Sequence, residues 1–287
     1  MHALVREAWS QHGPRFECTV GDLDWRMYRG ATVDPAVNIR LWESGETLLG
    51  FAWFLPNGDL DLVVHPREHC ATVAAEMIAW GEERLRTSGG TDQPGHQLCA
   101  WALASNEPLT HALQATGLRP ISTYYLHLFR TLDTPLEAPS VPAGYHVRSV
   151  AGPVEAAPRA AVHRAAFGSG RVTTEVYSRL MRGARHYRPE LDVVVVAPGG
   201  GFAAMALGWF DPDNLVGELE PVGTAPDYRR LGLARAASLE ALRRLRAAGA
   251  RSAVIYALPA NAGSVELYAS LGFREVDRNI GFVRPSP

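Results

Sequence analysis

The sequence predicts an α+β protein made of two tandem copies of one unit. Three observations carry that expectation. The same order of strands and helices occurs twice along the 287 residues, a proline-bearing stretch separates the two occurrences, and both contain a helix with the same start and stop signals at the same spacing. From Asn106 to Gly117 and from Asn261 to Gly272 the step is the same eleven positions, from an N-cap type to a helix-ending glycine. The length suits two units better than one core.

In the first half, 38–43, 47–56 and 59–66 read as short strands separated by Ser-Gly and Asn-Gly turns. The apolar stripe of 71–86 is helical. A strand at 97–103, a helix at 106–117 and a strand at 121–129 complete the copy. The stretch 131–145, with Pro135, Pro139 and Pro142, reads as an exposed connection. The expected units are therefore 1–132, a linker at 133–143, and 144–287. The second copy repeats the order: strands at 191–198, 201–210 and 216–224, a helix at 233–249, a strand at 252–258, a helix at 261–272 and a last strand at 273–283.

Composition excludes several classes. With 47% hydrophobic and 20% charged residues the chain is of ordinary globular type. No apolar run approaches the roughly 20 residues of a membrane span, and the first residues lack a secretory pattern, so a cytoplasmic protein without membrane contact is expected. Cys18, Cys70 and Cys99 form no CxxC pair and are expected as free thiols, with no metal site. The formal net charge of -2, with no basic-aromatic patch, argues against nucleic acid as a partner.

The stretch 228–236, YRRLGLARA, places Gly232 where a helix opens, with Arg229 and Arg230 just before it. Unpaired amides at a helix start and the helix dipole favour an anion, a glycine lets the backbone approach it, and arginines neutralise it. A turn with a solvated arginine surface fits the same residues. Downstream, Asn261 and Tyr268 are seven residues apart, so they share a helix face at roughly 10 Å. Tyr268 by itself also reads as a core aromatic. On the strand before the cradle, alternation puts Glu218, Glu220 and Val222 on one face. Glu220 is the first candidate for a general base and Glu218 the second. Binding a cationic substrate, or simple solvation, fits these carboxylates equally.

Together these residues resemble the GNAT superfamily of acyl-CoA-dependent N-acetyltransferases. The coenzyme motif Arg/Gln-x-x-Gly-x-Gly/Ala is matched by Arg229, Arg230, Leu231, Gly232, Leu233 and Ala234, and the later Asn, Tyr and Gly-Phe by Asn261, Tyr268, Gly272 and Phe273. The resemblance implies two tandem GNAT domains, each a mixed, mostly antiparallel sheet flanked by helices. It implies that acetyl-CoA is the acyl donor, with the backbone of Val222, Gly223 and Thr224 pairing with its pantetheine arm. The amides from Arg230 to Arg235 would hold the pyrophosphate, and Asn261 would lie beside the coenzyme. Tyr268 would protonate the departing thiolate. A phenol of pKa about 10 beside a thiol of about 8.5 suits that role.

The first half has lost these residues. His65-Pro66 aligned on Ala225-Pro226 sets His69 opposite Arg229, Thr72 opposite Gly232 and Leu60 opposite Glu220; Asn106 aligned on Asn261 sets Leu113 opposite Tyr268. It reads as a degenerate copy. The layout is similar to that of tandem members such as mycothiol synthase, with no substrate-specific motif. The expected activity is direct acetyl transfer from acetyl-CoA to a primary amine of a small molecule by the second half, in a monomer or homodimer. A non-catalytic acyl-CoA-binding protein and a protein N-acetyltransferase are the alternatives. His163, Tyr177 and His186 are candidates for lining the acceptor pocket, as are Trp25 and Tyr28.

Overall fold

A computed structural model describes residues 1–29, 34–55, 57–65, 70–88 and 97–285. The elements follow the expected order. The first half holds α1 (His2–His12), α2 (Val20–Arg29), α3 (Pro35–Asn38), β1 (Ile39–Ser44), β2 (Thr47–Phe54), β3 (Asp59–Val64), α4 (Cys70–Thr87), β4 (Cys99–Leu103), α5 (Glu107–Ala115) and β5 (Arg119–Thr131). The second holds β6 (His146–Ser149), α6 (Ala156–Phe167), α7 (Thr174–Gly183), β7 (Asp192–Val196), β8 (Phe202–Asp211), β9 (Val216–Thr224), α8 (Leu233–Ala247), β10 (Ser252–Ala257), α9 (Ala262–Ser270) and β11 (Arg274–Val283). The connection expected at 133–143 contains neither helix nor strand.

Each half contributes a mostly antiparallel set of strands with one parallel step, β3 to β4 and β9 to β10. The two sets form one continuous sheet in the order β1-β2-β3-β4-β11-β5-β10-β9-β8-β7-β6. The closing strands are exchanged. β5 lies against β10 of the second half, and β11 lies against β4 of the first, while β5 and β11 pair with each other. Each half would otherwise end on an open strand edge; the exchange covers both edges. A boundary drawn at residue 132 is thus a boundary in the chain and not in the sheet.

Repetition is visible in the caps. Asn106 accepts from the Leu109 amide at the start of α5, and Asn261 accepts from the Ser264 amide at the start of α9, each helix running nine residues. Leu113, fully buried, stands seven residues after its cap where Tyr268 stands after its own. The match at the cradle does not hold. Thr72 lies inside the first turn of α4, whereas Gly232 precedes α8, so ungapped alignment mispairs them; His69 and Pro66 lie outside the described residues.

One apolar cluster joins α4 and α5 to the first-half strands, and another joins α8 to the second-half strands. The crossing element is α2. Though it belongs to the first half by sequence, it packs on α7, β8 and β9. No helix among the described residues is long and apolar enough to cross a membrane, and the three cysteines are free.

Candidate active site

β9 and β10 are hydrogen-bonded as neighbours only from Val216 with Ser252 to Glu218 with Val254. Beyond that point no ladder joins them. On its other edge β9 stays paired to β8, but Ala206 faces Val222 and Gly208 faces Leu219, so Glu220 and Pro221 stand opposite the single residue Leu207. This bulge bends β9 and widens the gap to β10. The stretch Val222, Gly223 and Thr224 therefore borders a slot, on the edge that the resemblance assigns to a pantetheine arm.

The bulge also corrects the alternation argument. Glu218 and Glu220 do share a side, since their carboxylates lie within 4.8 Å of each other and of Asp22. Val222 does not share it. Its side chain packs against the cluster that contains Leu219, because the inserted residue resets the alternation.

Past Thr224 the chain makes a short turn and enters α8. Gly232 is the N-cap at φ 73° and ψ 7°, and no side chain caps the helix, so the amides of its first turn, Leu233, Ala234 and Arg235, are not claimed by a capping group. Arg230 is also left-handed, at φ 63°. A Cβ on Gly232 would meet nothing within 4 Å. The glycine is therefore required by its backbone angle, and the space before it is open for an anion. Arg229 is exposed and donates to the Ala166 carbonyl at 3.3 Å; Arg235 pairs with Glu137; Leu231 is exposed.

The slot opens onto a cavity of about 330 Å³ that Glu220, Val222, Asn261 and Tyr268 all line. Glu220 is half-buried, and burial, reinforced by the charge of Asp22, pushes its carboxyl up to about 7. Glu218 is buried, and Thr19 Oγ1 donates to its Oε2 while its Oε1 has no partner. Burial first, then Asp22 and Glu220, hold it well above the ordinary carboxylate range. Tyr268 is 6% exposed and packs edge-on to Phe273 at 6.3 Å. Burial and the nearby Glu220 raise its phenol, which stays protonated at neutral pH. One carboxyl poised to take a proton and one phenol able to give one thus share a cavity.

The remaining wall comes from residues that sequence reasoning missed. Asp22, Arg26 and Arg29 line the cavity from α2, Asp59 and Asp61 from β3, Trp101 from β4 and Tyr125 from β5. Arg26 bridges Asp22 at 3.6 Å and Asp61 at 3.2 Å, and Trp101 Nε1 donates to Asp59 at 3.2 Å. The signals were present: 22, 26 and 29 fall on one helix face, and Asp59 and Asp61 alternate with Leu60 and Leu62 of the core.

The candidates named for the acceptor pocket do not line this cavity. His163 Nδ1 and the Tyr177 hydroxyl, 3.1 Å apart, are buried together with Trp25, under the Arg159 guanidinium, 4.6 Å from the Tyr177 ring. Tyr28 packs against the same cluster and reaches Gly183. His186 Nδ1 lies 2.8 Å from Asp24, which His2 also meets at 3.0 Å, and Arg6 donates to His186 Nε2 at 2.8 Å. These groups hold the fold together; Phe167, at the end of α6, is what this region gives to the cavity.

Comparison with known proteins agrees with the geometry. Residues 162–273 match the model described as "Acetyltransferase (GNAT) family". A mycothiol acetyltransferase from Thermobispora bispora is 30% identical over 252 residues, covering 80% of this chain and 77% of that protein. One from Tsukamurella paurometabola is 26% identical, covering 78% and 77%. Among solved structures, a tandem GNAT protein from the clavulanic acid biosynthesis pathway is similar at TM-score 0.69 and 20% identity, over 99% of this chain and 94% of the other. A GCN5-related N-acetyltransferase from Sphaerobacter thermophilus gives 0.68 at 20% identity, over 100% and 92%.

Proposed function

From the premise that this chain belongs to the GNAT family and is an acetyl-CoA-dependent N-acetyltransferase, we propose that it moves the acetyl group directly to a primary amine of a small molecule. Residues 144–287 carry the chemistry in this reading, and residues 1–132 wall the acceptor side.

The observation that carries the proposal is the pairing of Glu220 and Tyr268 across one cavity, at the mouth of the slot between β9 and β10. Val222, Gly223 and Thr224 present their backbone to the pantetheine arm, and the amides from Arg230 to Arg235 receive the pyrophosphate, with Arg229 and Arg230 adding charge. The acceptor enters as an ammonium ion among Asp59, Asp61 and Glu220. Glu220 takes its proton, and the free amine attacks the thioester carbonyl. The C–N bond forms, the C–S bond breaks as Tyr268 gives its proton to the leaving thiolate, and the nitrogen sheds its second proton to solvent as the amide forms; the proton held by Glu220 then restores the phenol through solvent. Glu218, buried and held well above the ordinary carboxylate range, is the second candidate and stands beside Glu220 as its neighbour. Asn261 spends its side-chain oxygen on capping α9, so its part at the coenzyme is to fix that helix.

The names of the relatives, mycothiol acetyltransferase, support the amine whose acetylation yields mycothiol as the acceptor to test first. A cavity of about 330 Å³ lined by carboxylates suits a small hydrophilic amine and not a folded protein. The test is incubation with acetyl-CoA and a panel of amines that includes this precursor, read as acetylated product by mass. Coenzyme release is followed by loss of thioester absorbance, a readout that a thiol on the amine would not obscure. Acetylation of the precursor above all other amines is expected. Acetyl-CoA left intact with every amine would overturn the activity, and turnover confined to other amines would overturn the acceptor.

A further inference from the structure

The first turn of α2 is wedged against β9, and its details single out Asp22. Thr19 and Asp22 cap each other: the Asp22 amide donates to Thr19 Oγ1 at 2.9 Å, and the Thr19 amide donates to Asp22 Oδ2 at 2.9 Å. The Thr19 hydroxyl has one hydrogen, and Glu218 Oε2 receives it. Gly21 permits this approach, since a Cβ there would collide with the side chains of Glu218 and Trp209. The result is three carboxyl groups from two halves, Asp22, Glu218 and Glu220, with ligand oxygens within 4.8 Å of one another. Glu218 Oε1 stays buried and unpartnered beside them. Groups this close do not all ionise independently.

We propose that Asp22 is a positioning residue for acetyl transfer: supplied by the otherwise degenerate half, it stands in one carboxyl cluster with Glu220 and Glu218, and its charge sets how readily Glu220 accepts the amine's proton. The inference rests on the reading that Glu220 is the base. Removal of the Asp22 charge leaves Glu220 free to ionise at lower pH and makes it a weaker acceptor of protons. Other charges act on the same carboxyl. Arg26 and Arg29 of α2 pull it down, Asp61 of β3 pushes it up, and Glu218 of β9, Tyr125 of β5 and Tyr268 of α9 stand near it, while Tyr256 of β10 and the thiol of Cys18 interact with Glu218. Among these charges Asp22 has the largest effect on Glu220.

The experiment is a carboxyl titration followed by 13C NMR on the full chain labelled at glutamate side chains, with the Glu220 resonance identified by its loss in Glu220→Gln. The wild-type midpoint is expected at about 7, with Asp22→Asn moving it toward the ordinary value of 4.5. Asp22→Glu keeps the charge and leaves the midpoint near wild type. Arg26→Gln moves it upward. Lost packing would shift these variants without regard to charge, so opposite directions for Asp22→Asn and Arg26→Gln separate the two explanations. An unmoved midpoint in Asp22→Asn, or an equal fall in Asp22→Glu, overturns the proposal. The acid limb of acetyl transfer is measured in parallel with the amine precursor of mycothiol. If Glu220→Gln leaves that limb in place, the base assignment and the proposal fall together. If it removes the limb while Asp22→Asn does not shift it, the proposal alone falls.

Discussion

In the proposed reaction Tyr268 and Glu220 divide the proton traffic, and their environments suit each to its role. The same burial that raises Glu220 to about 7, where it can exchange a proton at neutral pH, raises the phenol of Tyr268 out of the range where it would ionise. Tyr268→Phe removes one hydroxyl and leaves the ring against Phe273. It should lower kcat by about 10²-fold, a general-acid contribution, while calorimetry finds the acetyl-CoA Kd within about twofold of wild type. Residues on a single helix were legible from spacing, as Asn261 and Tyr268 show. Val222 was misplaced by alternation because Pro221 sits in a bulge, and a proline inside a strand is the signal that alternation will break there. Asp22, Asp59 and Asp61 were not read as site residues. Their meaning appears only when a helix and a strand of one half face a strand of the other.

At the level of the element, α8 is built to begin without a cap. Arg230 and Gly232 both take left-handed angles, φ 63° and 73°, so the chain turns into the helix with its first amides facing open space. The sequence showed the glycine and its place, and a resemblance supplied its purpose. The physical requirement, an angle and not a crowded neighbour, came from the structure. Gly232→Thr should strain that turn by about 1–3 kcal/mol and weaken acetyl-CoA binding about tenfold or more by calorimetry, with the far-ultraviolet spectrum of the fold retained. Wild-type affinity in that variant would remove the cradle from the account. Gly223 is constrained differently: a Cβ there would lie 2.8 Å from Ala166, so this stretch of β9 is held tight against α6.

The whole molecule is a repeat that has been stitched shut. Exchange of β5 and β11 and the docking of α2 on β9 leave neither half with a sheet of its own, although the chain connection at 133–143 reads as a boundary. Local pattern announces a strand but not its partner, and so the repeat was legible and the exchange was not. Scanning calorimetry should show one cooperative unfolding transition for both halves; two separable transitions would contradict the interlocked sheet. The same interlocking makes the cavity a joint product, with Glu220 on β9 and carboxylates from α2 and β3 around it. The most direct test of that account is kcat/KM for acetyl transfer as a function of pH, wild type beside Glu220→Gln. Activity requires the ionised carboxylate, so the wild-type value should rise through an acid limb near pH 7, and the variant should be slower and lack that limb. A Glu220→Gln enzyme that keeps both the rate and the limb of the wild type would contradict it.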